Sequence, residues 1–280
     1  TTGRSKAAIV THRNVLTMSL SCQSEGILCA DSVFLVTGPM FHVAGSFPAL
    51  SLIVGGGTGV LIEQFEPREA LRLIDEHKVT ESLLVPTVLS MTVDCPDFDQ
   101  FDTSTLKTVM YGGAPITEAL LDRVLTKLPH TEFVQIYGMT ELAGACTMLP
   151  HKYLLGEHRK RGLNTATGRA MPGMHMRVVD SDDREIPRGE IGEITIRSDT
   201  VMKGYWRRPQ ETADALRNGW MHTGDGGYMT EDGFIFIVDR MKDMIISGGE
   251  NVYSTEVENA VASHPAVKET VVIGIPSEKW

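Results

Sequence analysis

The chain has 280 residues, of which 42% are hydrophobic and 22% charged, so a sizeable buried core is expected and disorder is not. Its formal net charge is -10, with 36 acidic against 26 basic side chains. This balance argues against a nucleic-acid partner, because phosphate neutralisation needs clustered lysine and arginine. The four cysteines show no C-x-x-C spacing, which indicates reduced thiols and a cytoplasmic location rather than a disulfide framework.

The long apolar stretch at residues 33–62 is the first feature in chain order. Pro39, Pro48 and several glycines interrupt it, so it lacks the clean run of about 20 apolar residues that a membrane-spanning helix needs. We therefore expect no transmembrane segment and predict buried strands and a helix here instead. Contact with a membrane surface and the oligomeric state are left open by the sequence.

Strands and helices alternate through the next part of the chain. Residues 67–78 predict a helix that opens on Pro67, and residues 115–128 predict a second helix with one apolar face. Short apolar runs at residues 83–85 and 133–137 predict strands. Because strands alternate with helices, we expect an α/β fold with a largely parallel sheet.

The pattern changes after about residue 165. Alternation at residues 174–179 and 193–197, and a strand-like run at 234–238, predict a β-rich part. Beyond Asp239 we predict a short strand at 244–246, a Gly248-Gly249 turn, a helix with a capping box from Thr255 to Glu258, and a further strand after His264-Pro265.

The expected organisation is a large N-terminal domain followed by the start of a small α+β C-terminal domain. The large domain would consist of an α/β part at residues 1–165 and a β-rich subdomain at 166–239. Residues 240–280 would be a hinge and the truncated start of the last domain. The chain begins without Met and stops soon after a strand-like run at 271–275, so we expect a fragment that lacks both termini.

Five clusters could bind a nucleotide, although each alone is also typical of an ordinary loop or turn. Hydroxyls, a glycine and an ammonium in the first six residues suit phosphate oxygens. Two glycines in Tyr111-Gly112-Gly113-Ala114-Pro115 would allow a flat ligand close to the backbone. In Tyr137-Gly138-Met139-Thr140-Glu141 the ring could stack on a base and the carboxylate could hold Mg²⁺.

The last two clusters lie in the second half of the chain. Asp225, set between glycines in His222-Thr223-Gly224-Asp225-Gly226, could accept both hydroxyls of a ribose, although glycine and aspartate also favour plain turns. Residues 239–253 carry charged side chains into a glycine turn at a predicted boundary. Such a boundary suits a hinge as well as a solvated linker.

In this order and spacing, the five clusters resemble the core motifs of the adenylate-forming superfamily. The likeness includes Pro39-Met40-Phe41-His42 with Gly45, Gly192-Glu193 and Lys203-Gly204-Tyr205-Trp206. That superfamily contains acyl-CoA synthetases, beetle luciferases and peptide-synthetase adenylation domains. The chain is most similar to bacterial fatty acyl-CoA synthetases. The phosphate loop departs from the family pattern at Ser5 and Ala7.

The resemblance implies a role for each matching residue. Those expected to bind ATP are Thr1, Thr2, Gly3, Lys6, Gly113, Ala114, Pro115, Tyr137, Asp225 and Arg240. Thr140 would touch the α-phosphate and Glu141 would bind Mg²⁺. Ser247, Gly248 and Gly249 would border the CoA tunnel, and Lys242 would be the hinge. Gly112 and His42 would lie beside the carboxylic acid substrate.

The implied activity is ATP-dependent ligation of a carboxylic acid, expected to be a fatty acid, to CoA through an acyl-AMP intermediate. The family's adenylation lysine would lie beyond Trp280, so the chain alone is expected to adenylate weakly or not at all. Alternatives are a peptide-synthetase adenylation domain and a catalytically incomplete nucleotide-binding protein. A Rossmann dehydrogenase is disfavoured, because residues 55–59 do not fit G-x-G-x-x-G.

Overall fold

The computed structural model describes residues 5–247, 250–262, 264, 266–267 and 270–275. The chain divides into two compact units. The first unit comprises Thr1–Met174 and Ser198–Thr212, and the second unit comprises His175–Arg197 and Ala213–Trp280. The expected three-part division into domains stays a prediction.

A seven-stranded sheet forms the centre of the first unit, in the order β2-β1-β3-β4-β5-β6-β7. Neighbouring strands from β2 to β5 pair in parallel, whereas β6 and β7 join antiparallel. The strands are β1 (Val33–Val36), β2 (Thr58–Leu61), β3 (Glu81–Leu83), β4 (Thr108–Gly112), β5 (Glu132–Met139), β6 (Gly144–Leu149) and β7 (Arg169–Ala170). The predicted α/β fold with a largely parallel sheet is confirmed.

The helices of the chain are short and mostly capped by side chains. They are α1 (His12–Ser24), α2 (Val43–Gly55), α3 (Pro67–His77), α4 (Pro86–Val93), α5 (Glu118–Lys127), α6 (Gly156–Lys160), α7 (Pro209–Ala215) and α8 (Ser254–Ala262). The helix predicted from Pro67 is confirmed as α3, whose first turn is capped by the Glu66 carboxylate. The helix predicted from residue 115 begins later, at Glu118, because the Thr117 hydroxyl caps it there.

The apolar stretch at residues 33–62 folds into β1, α2 and β2, as expected, but only part of it is buried. Phe34 and Leu35 of β1 are at most 1% exposed, whereas β2 is an edge strand in which Leu61 is 62% exposed. Ile53 on α2 is 78% exposed. The prediction of buried strands is therefore wrong for β2, because this strand lies at one end of the sheet order and has a neighbouring strand on one side only. No helix in the described part of the chain has the length and apolarity to cross a bilayer.

An antiparallel five-stranded sheet forms the second unit, with the path β10-β11-β9-β8 and β12 paired to β11. Its strands are β8 (His175–Val179), β9 (Gly192–Arg197), β10 (Leu216–Arg217), β11 (Trp220–Met229) and β12 (Ile235–Arg240), and a hairpin of β13 (Ile245–Ser247) and β14 (Glu250–Val252) follows. The predicted β-rich part is confirmed. The predicted Gly248-Gly249 turn lies outside the described residues.

The end of the chain differs from two of the predictions. Helix α8 begins at Ser254, one residue before Thr255, where the predicted capping box starts. The Asp239 carboxylate takes the capping role, since it accepts from the Ser254 backbone N–H at 2.6 Å and from its hydroxyl at 2.7 Å. Residues 271–275 form no strand, and the Val272 backbone N–H donates to the Glu258 carboxylate at 2.9 Å. A strand needs a backbone neighbour, and apolar alternation alone does not supply one.

Candidate functional site

The carboxyl ends of β4 and β5 bring two of the predicted clusters side by side. The two strands pair in parallel, with Gly112 opposite Ile136, so the residues that follow each strand lie at the same edge of the sheet. Gly112 is required there, since a Cβ would lie 2.2 Å from the Ile136 carbonyl oxygen. Gly113 adopts φ +78°, a conformation that glycine tolerates without strain. Ala114 and Pro115 follow as an irregular, exposed segment.

Tyr111, just before this segment, anchors β4 in the core. The residue is fully buried, and burial raises the pKa of its hydroxyl above the ordinary value. That hydroxyl donates a long hydrogen bond of 3.4 Å to the Gln135 side chain on β5. Tyr111 therefore serves as packing beneath the site, and its hydroxyl stays protonated.

The residues after β5 turn sharply and carry the predicted phosphate and metal contacts. Tyr137 is half-buried, and Thr140 is exposed at the start of a 3₁₀ turn, Thr140–Leu142. Ala143 follows with φ 57° and returns the chain into β6. Glu141 is half-buried, and its backbone carbonyl accepts from the Met202 N–H at 2.8 Å.

Tyr205 links the predicted metal ligand to the predicted phosphate ligand. Its hydroxyl donates to Glu141 Oε1 at 2.6 Å, and Lys6 Nζ lies 4.5 Å from the centre of its ring. Residues 7–9 and 203–206 run beside each other through backbone hydrogen bonds of 2.8–2.9 Å. We refer to Lys6, Tyr205 and Glu141 as the phosphate cluster. All three belong to the first unit.

Tyr205 was not among the residues predicted to form the site, although it belongs to a segment that resembles a family motif. It lies 64 residues from Glu141 along the chain, so no local spacing connects the two. The residue is 8% exposed, and its backbone N–H donates to the Thr212 hydroxyl at 2.8 Å. A tyrosine fixed in this way holds an ammonium over the face of its ring and a carboxylate at its hydroxyl.

The Glu141 carboxylate of the phosphate cluster fits Mg²⁺. It is a hard oxygen donor, and one carboxylate with phosphates and waters is the usual shell of this ion. Among the described residues, no group of three His, Cys, Asp or Glu side chains is arranged to hold a metal. The metal role of Glu141 stays a prediction.

His42 caps α2. Its Nδ1 accepts from the Ala44 backbone N–H at 3.1 Å, and its side chain is exposed. The contact to Ala44 is a structural role, and a place beside the acyl substrate stays a prediction. The expected nucleotide contacts of Thr1, Thr2 and Gly3 fall outside the described residues.

The second unit holds the predicted ribose ligand. Asp225 is 5% exposed, and its Oδ1 lies 3.0 Å from Arg240 Nε across the paired strands β11 and β12. Arg240 also donates from Nη1 to the Thr223 carbonyl at 3.3 Å. Asp225 and Arg240, predicted to contact the same nucleotide, are therefore a direct ion pair. Whether they share one nucleotide with Tyr137 and Glu141 stays a prediction.

The remaining predicted residues follow β12. Lys242 and Asp243 form an exposed pair with Nζ and Oδ1 3.4 Å apart, in a turn between β12 and β13. Ser247 is the last residue of β13 and pairs with Glu250. Gly248 and Gly249, predicted to border the CoA tunnel, are outside the described residues. The hinge and CoA roles of this segment stay predictions.

Comparisons with known proteins identify the family of the chain. The family model of the AMP-binding enzyme matches residues 1–206. A fatty acid–[acyl-carrier-protein] ligase, ScoC of Streptomyces coeruleorubidus, is 39% identical over 100% of this chain and 54% of its own length. The long-chain-fatty-acid–CoA ligase FadD13 of Mycobacterium tuberculosis is 38% identical, again over 100% of this chain and 54% of its own length. The chain thus spans about half the length of these relatives.

A solved structure with bound nucleotide is also similar. O-succinylbenzoate coenzyme A synthetase of Bacillus subtilis, in complex with ATP and magnesium, superposes with a TM-score of 0.87 at 30% identity, covering 99% of this chain and 56% of that one. The amide bond synthetase McbA of Marinactinospora thermotolerans gives a TM-score of 0.89 at 32% identity, covering 99% and 55%. The chain therefore belongs to the AMP-binding enzyme family.

Proposed function

We propose that the chain forms the nucleotide- and acyl-binding part of an AMP-forming ligase that joins a carboxylic acid, of the fatty acid class, to CoA. The observation that carries the proposal is the phosphate cluster, in which Tyr205 holds an ammonium and a carboxylate at the carboxyl end of a parallel sheet. The names of the relatives at 38–39% identity support the substrate class.

The first step converts a poor electrophile into a reactive one. A carboxylate oxygen of the acid attacks the α-phosphorus of ATP, and the bond from that phosphorus to the bridging oxygen breaks. Pyrophosphate leaves and acyl-AMP remains. The Lys6 ammonium binds phosphate oxygens, and Thr140 donates to the α-phosphate. Glu141 would hold Mg²⁺, and the ion would supply charge neutralisation, which with positioning is the main source of catalysis in phosphoryl chemistry.

The second step transfers the acyl group. The CoA thiol releases its proton to solvent and its sulfur attacks the acyl carbonyl. The bond from the carbonyl carbon to the AMP oxygen breaks, AMP leaves, and a thioester forms. Ser247, Gly248 and Gly249 border the entering pantetheine, and Lys242 is the hinge between the two steps.

The remaining predicted residues have roles in nucleotide and substrate binding. Tyr137 stacks on the adenine, and the backbone of Gly113, Ala114 and Pro115 lies along it. Asp225 accepts the ribose hydroxyls, and Arg240 orients Asp225. The acid lies near Gly112 and His42. A cytoplasmic location accompanies this assignment.

Calorimetric titration of the chain with ATP in the presence of Mg²⁺ tests the nucleotide part. We expect saturable binding of ATP and AMP, and none of NAD. Glu141→Ala should weaken ATP binding about tenfold, the loss of one strong charge interaction. Failure to bind ATP, or equal binding of NAD, would overturn the proposal.

The acid and the acceptor are tested in a longer polypeptide that supplies the family's adenylation lysine. Pyrophosphate release is measured with short, medium, long and aromatic acids, and the highest rate is expected with a fatty acid. The chain alone, which spans about half the length of these relatives, should release pyrophosphate far more slowly. Equal rates for the two would contradict this assignment.

A carrier-protein thiol is a second candidate acceptor for the acyl group. The relative at 39% identity is a fatty acid–[acyl-carrier-protein] ligase, so the thiol could belong to a carrier protein instead of free CoA. Supplying CoA or a phosphopantetheinylated carrier protein to the preformed acyl-AMP separates the two, since only one of them should consume it rapidly.

A further inference from the structure

Asp225 lies on a local distortion of strand β11. Pairing with β9 joins His222 to Thr195 and resumes at Gly226 opposite Glu193. Four steps along β11 therefore match two steps along β9, and the extra residues bulge out of the ladder. Gly224, within the bulge, adopts φ +72°. Bulges redirect side chains, so the geometry of this one sets the direction of the Asp225 carboxylate.

Glu193 on β9 spans the bulge with its two carboxylate oxygens. Oε1 accepts from the Gly224 backbone N–H at 3.0 Å, and Oε2 lies 2.8 Å from His222 Nδ1. The Thr223 hydroxyl donates to the Ile194 carbonyl at 2.7 Å. The Asp225 N–H in turn donates to that hydroxyl at 3.1 Å. The backbone on both sides of Thr223 is thus tied to β9 and its side chains.

Three neighbouring side chains surround the Glu193 carboxylate and its partners. The His222 side chain is 2% exposed, and its Nε2 lies 3.5 Å from Asp183 Oδ1. Arg217 Nη2 lies 3.5 Å from Glu193 Oε2 and 3.4 Å from Asp183 Oδ1. Two half-buried carboxylates therefore share an exposed arginine and a buried histidine. Each contact restricts the rotamers that the Glu193 side chain can adopt.

The far side of the bulge is tied to β12. The Gly224 carbonyl accepts from the Met241 N–H at 2.9 Å, and Arg240 pairs with Asp225. The peptide groups of Gly224 are consequently held from both flanks. Glu193 provides the β9 contact and Met241 provides the opposite one.

We propose that Glu193 is a positioning residue for nucleotide binding, which acts by fixing the bulge that aims Asp225 at the ribose hydroxyls. The inference rests on the proposed function, in which Asp225 is the ribose ligand. Glu193 itself does not touch the nucleotide. Its effect should therefore appear as lost discrimination at the ribose rather than as a general loss of phosphate binding.

The experiment compares the affinity of the chain for ATP, 2′-deoxy-ATP and 3′-deoxy-ATP by calorimetry. The variants are Glu193→Ala, Glu193→Gln and Asp225→Ala. Glu190→Gln, an exposed glutamate in the same unit, is the matched control for loss of charge. The ratio of two affinities does not depend on the fraction of folded protein, so partial misfolding of Glu193→Ala leaves the readout intact.

We expect the wild type to prefer ATP over the deoxy analogues and Asp225→Ala to lose that preference. Glu193→Ala should weaken ATP binding about tenfold and change the affinity for the deoxy analogues little, so the preference for ATP over those analogues becomes smaller. Glu193→Gln keeps an acceptor for Gly224 and should restore most of the preference. Glu190→Gln should behave as the wild type.

Different outcomes would overturn the ribose-binding role of Asp225 and the positioning role of Glu193. If Asp225→Ala keeps the wild-type preference, Asp225 is not the ribose ligand and the proposed function loses its second-unit contact. If Asp225→Ala loses the preference but folded Glu193→Ala and Glu193→Gln both keep it, the positioning role of Glu193 is overturned. A uniform loss of affinity for all three nucleotides in Glu193→Ala would also overturn it.

Discussion

The two units hold their key carboxylates in opposite surroundings. Glu141 in the first unit is half-buried, follows a parallel strand, and receives a hydrogen bond from the neutral Tyr205 hydroxyl. Asp225 in the second unit is 5% exposed, lies within an antiparallel strand, and is paired with Arg240.

The difference matches two kinds of binding task. A partly hydrated carboxylate can exchange water for a cation at low cost, because little desolvation is needed. A buried carboxylate must have its direction set by neighbours in advance, since an unpaired buried charge is expensive. We therefore expect the first site to respond to metal concentration and the second to respond to the ribose.

The largest expected effect compares glycines at the two sites. A Cβ on Gly138 would lie 2.0 Å from the Gly144 carbonyl oxygen, which is backbone and cannot move aside. A Cβ on Gly226 would first meet the sulfur of the flexible Met241 side chain, at 3.0 Å. Gly138→Ala should destabilise the protein by about 3 kcal/mol and Gly226→Ala by about 1 kcal/mol. Urea unfolding measures both, and equal losses would contradict the comparison.

The next prediction concerns how ATP binding depends on Mg²⁺ in variants of the two carboxylates. Glu141→Gln should weaken ATP binding about tenfold when Mg²⁺ is present and change it little when EDTA is added. Asp225→Asn should weaken binding in both conditions, because the ribose contact does not involve the ion. Calorimetry in the two buffers gives the comparison. A loss in Glu141→Gln that persists in EDTA would remove the distinction between the two carboxylates.

Tyr205→Phe tests the Mg²⁺ dependence of the first site by removing one hydroxyl group. The ring remains beneath Lys6, and only the hydroxyl bonded to Glu141 is removed. We expect the Mg²⁺ concentration for half-maximal ATP binding to rise about threefold, a fraction of one hydrogen bond's contribution. Tyr228→Phe in the second unit, whose ring stacks on Phe236 with centroids 4.9 Å apart, is the control and should leave that concentration unchanged.

The smallest effect concerns the start of β5 in the first unit. Burial holds the pKa of His151 below its ordinary value of 6.5, and its neutral Nδ1 accepts from the Phe133 backbone N–H at 3.0 Å. The unfolded state therefore binds the proton more readily, so this contribution is present above pH 6.5 and is lost as the pH falls through the folded-state pKa.

The control for this effect is His151→Asn, which keeps an acceptor near the same place but does not titrate. Its thermal midpoint should therefore fall less than that of the wild type between pH 7.5 and acidic pH. Parallel midpoints in the two proteins would show that His151 does not contribute to the acid sensitivity of the first unit.

Local periodicity was enough to predict most elements. The apolar stripe behind Pro67 predicted α3, because its spacing places the apolar side chains on one face of a helix. The short apolar run at residues 133–137 predicted β5, because it has the length of a strand. The predicted strand at residues 271–275 was wrong for the converse reason. An apolar run becomes a strand only beside a partner, and the Val272 N–H is bonded to a side chain instead.

The α/β class could be predicted from the sequence, and so could the adjacency of the clusters after β4 and β5, since a parallel sheet places the ends of neighbouring strands at one edge. The side-chain contacts that fix the site residues are visible only in the tertiary structure. Tyr205 reaches Glu141 across 64 residues, Glu193 reaches Gly224 across 31, and Asp239 reaches Ser254 across 15. Side chains that far apart meet only after the sheets have formed, so no spacing along the chain records them.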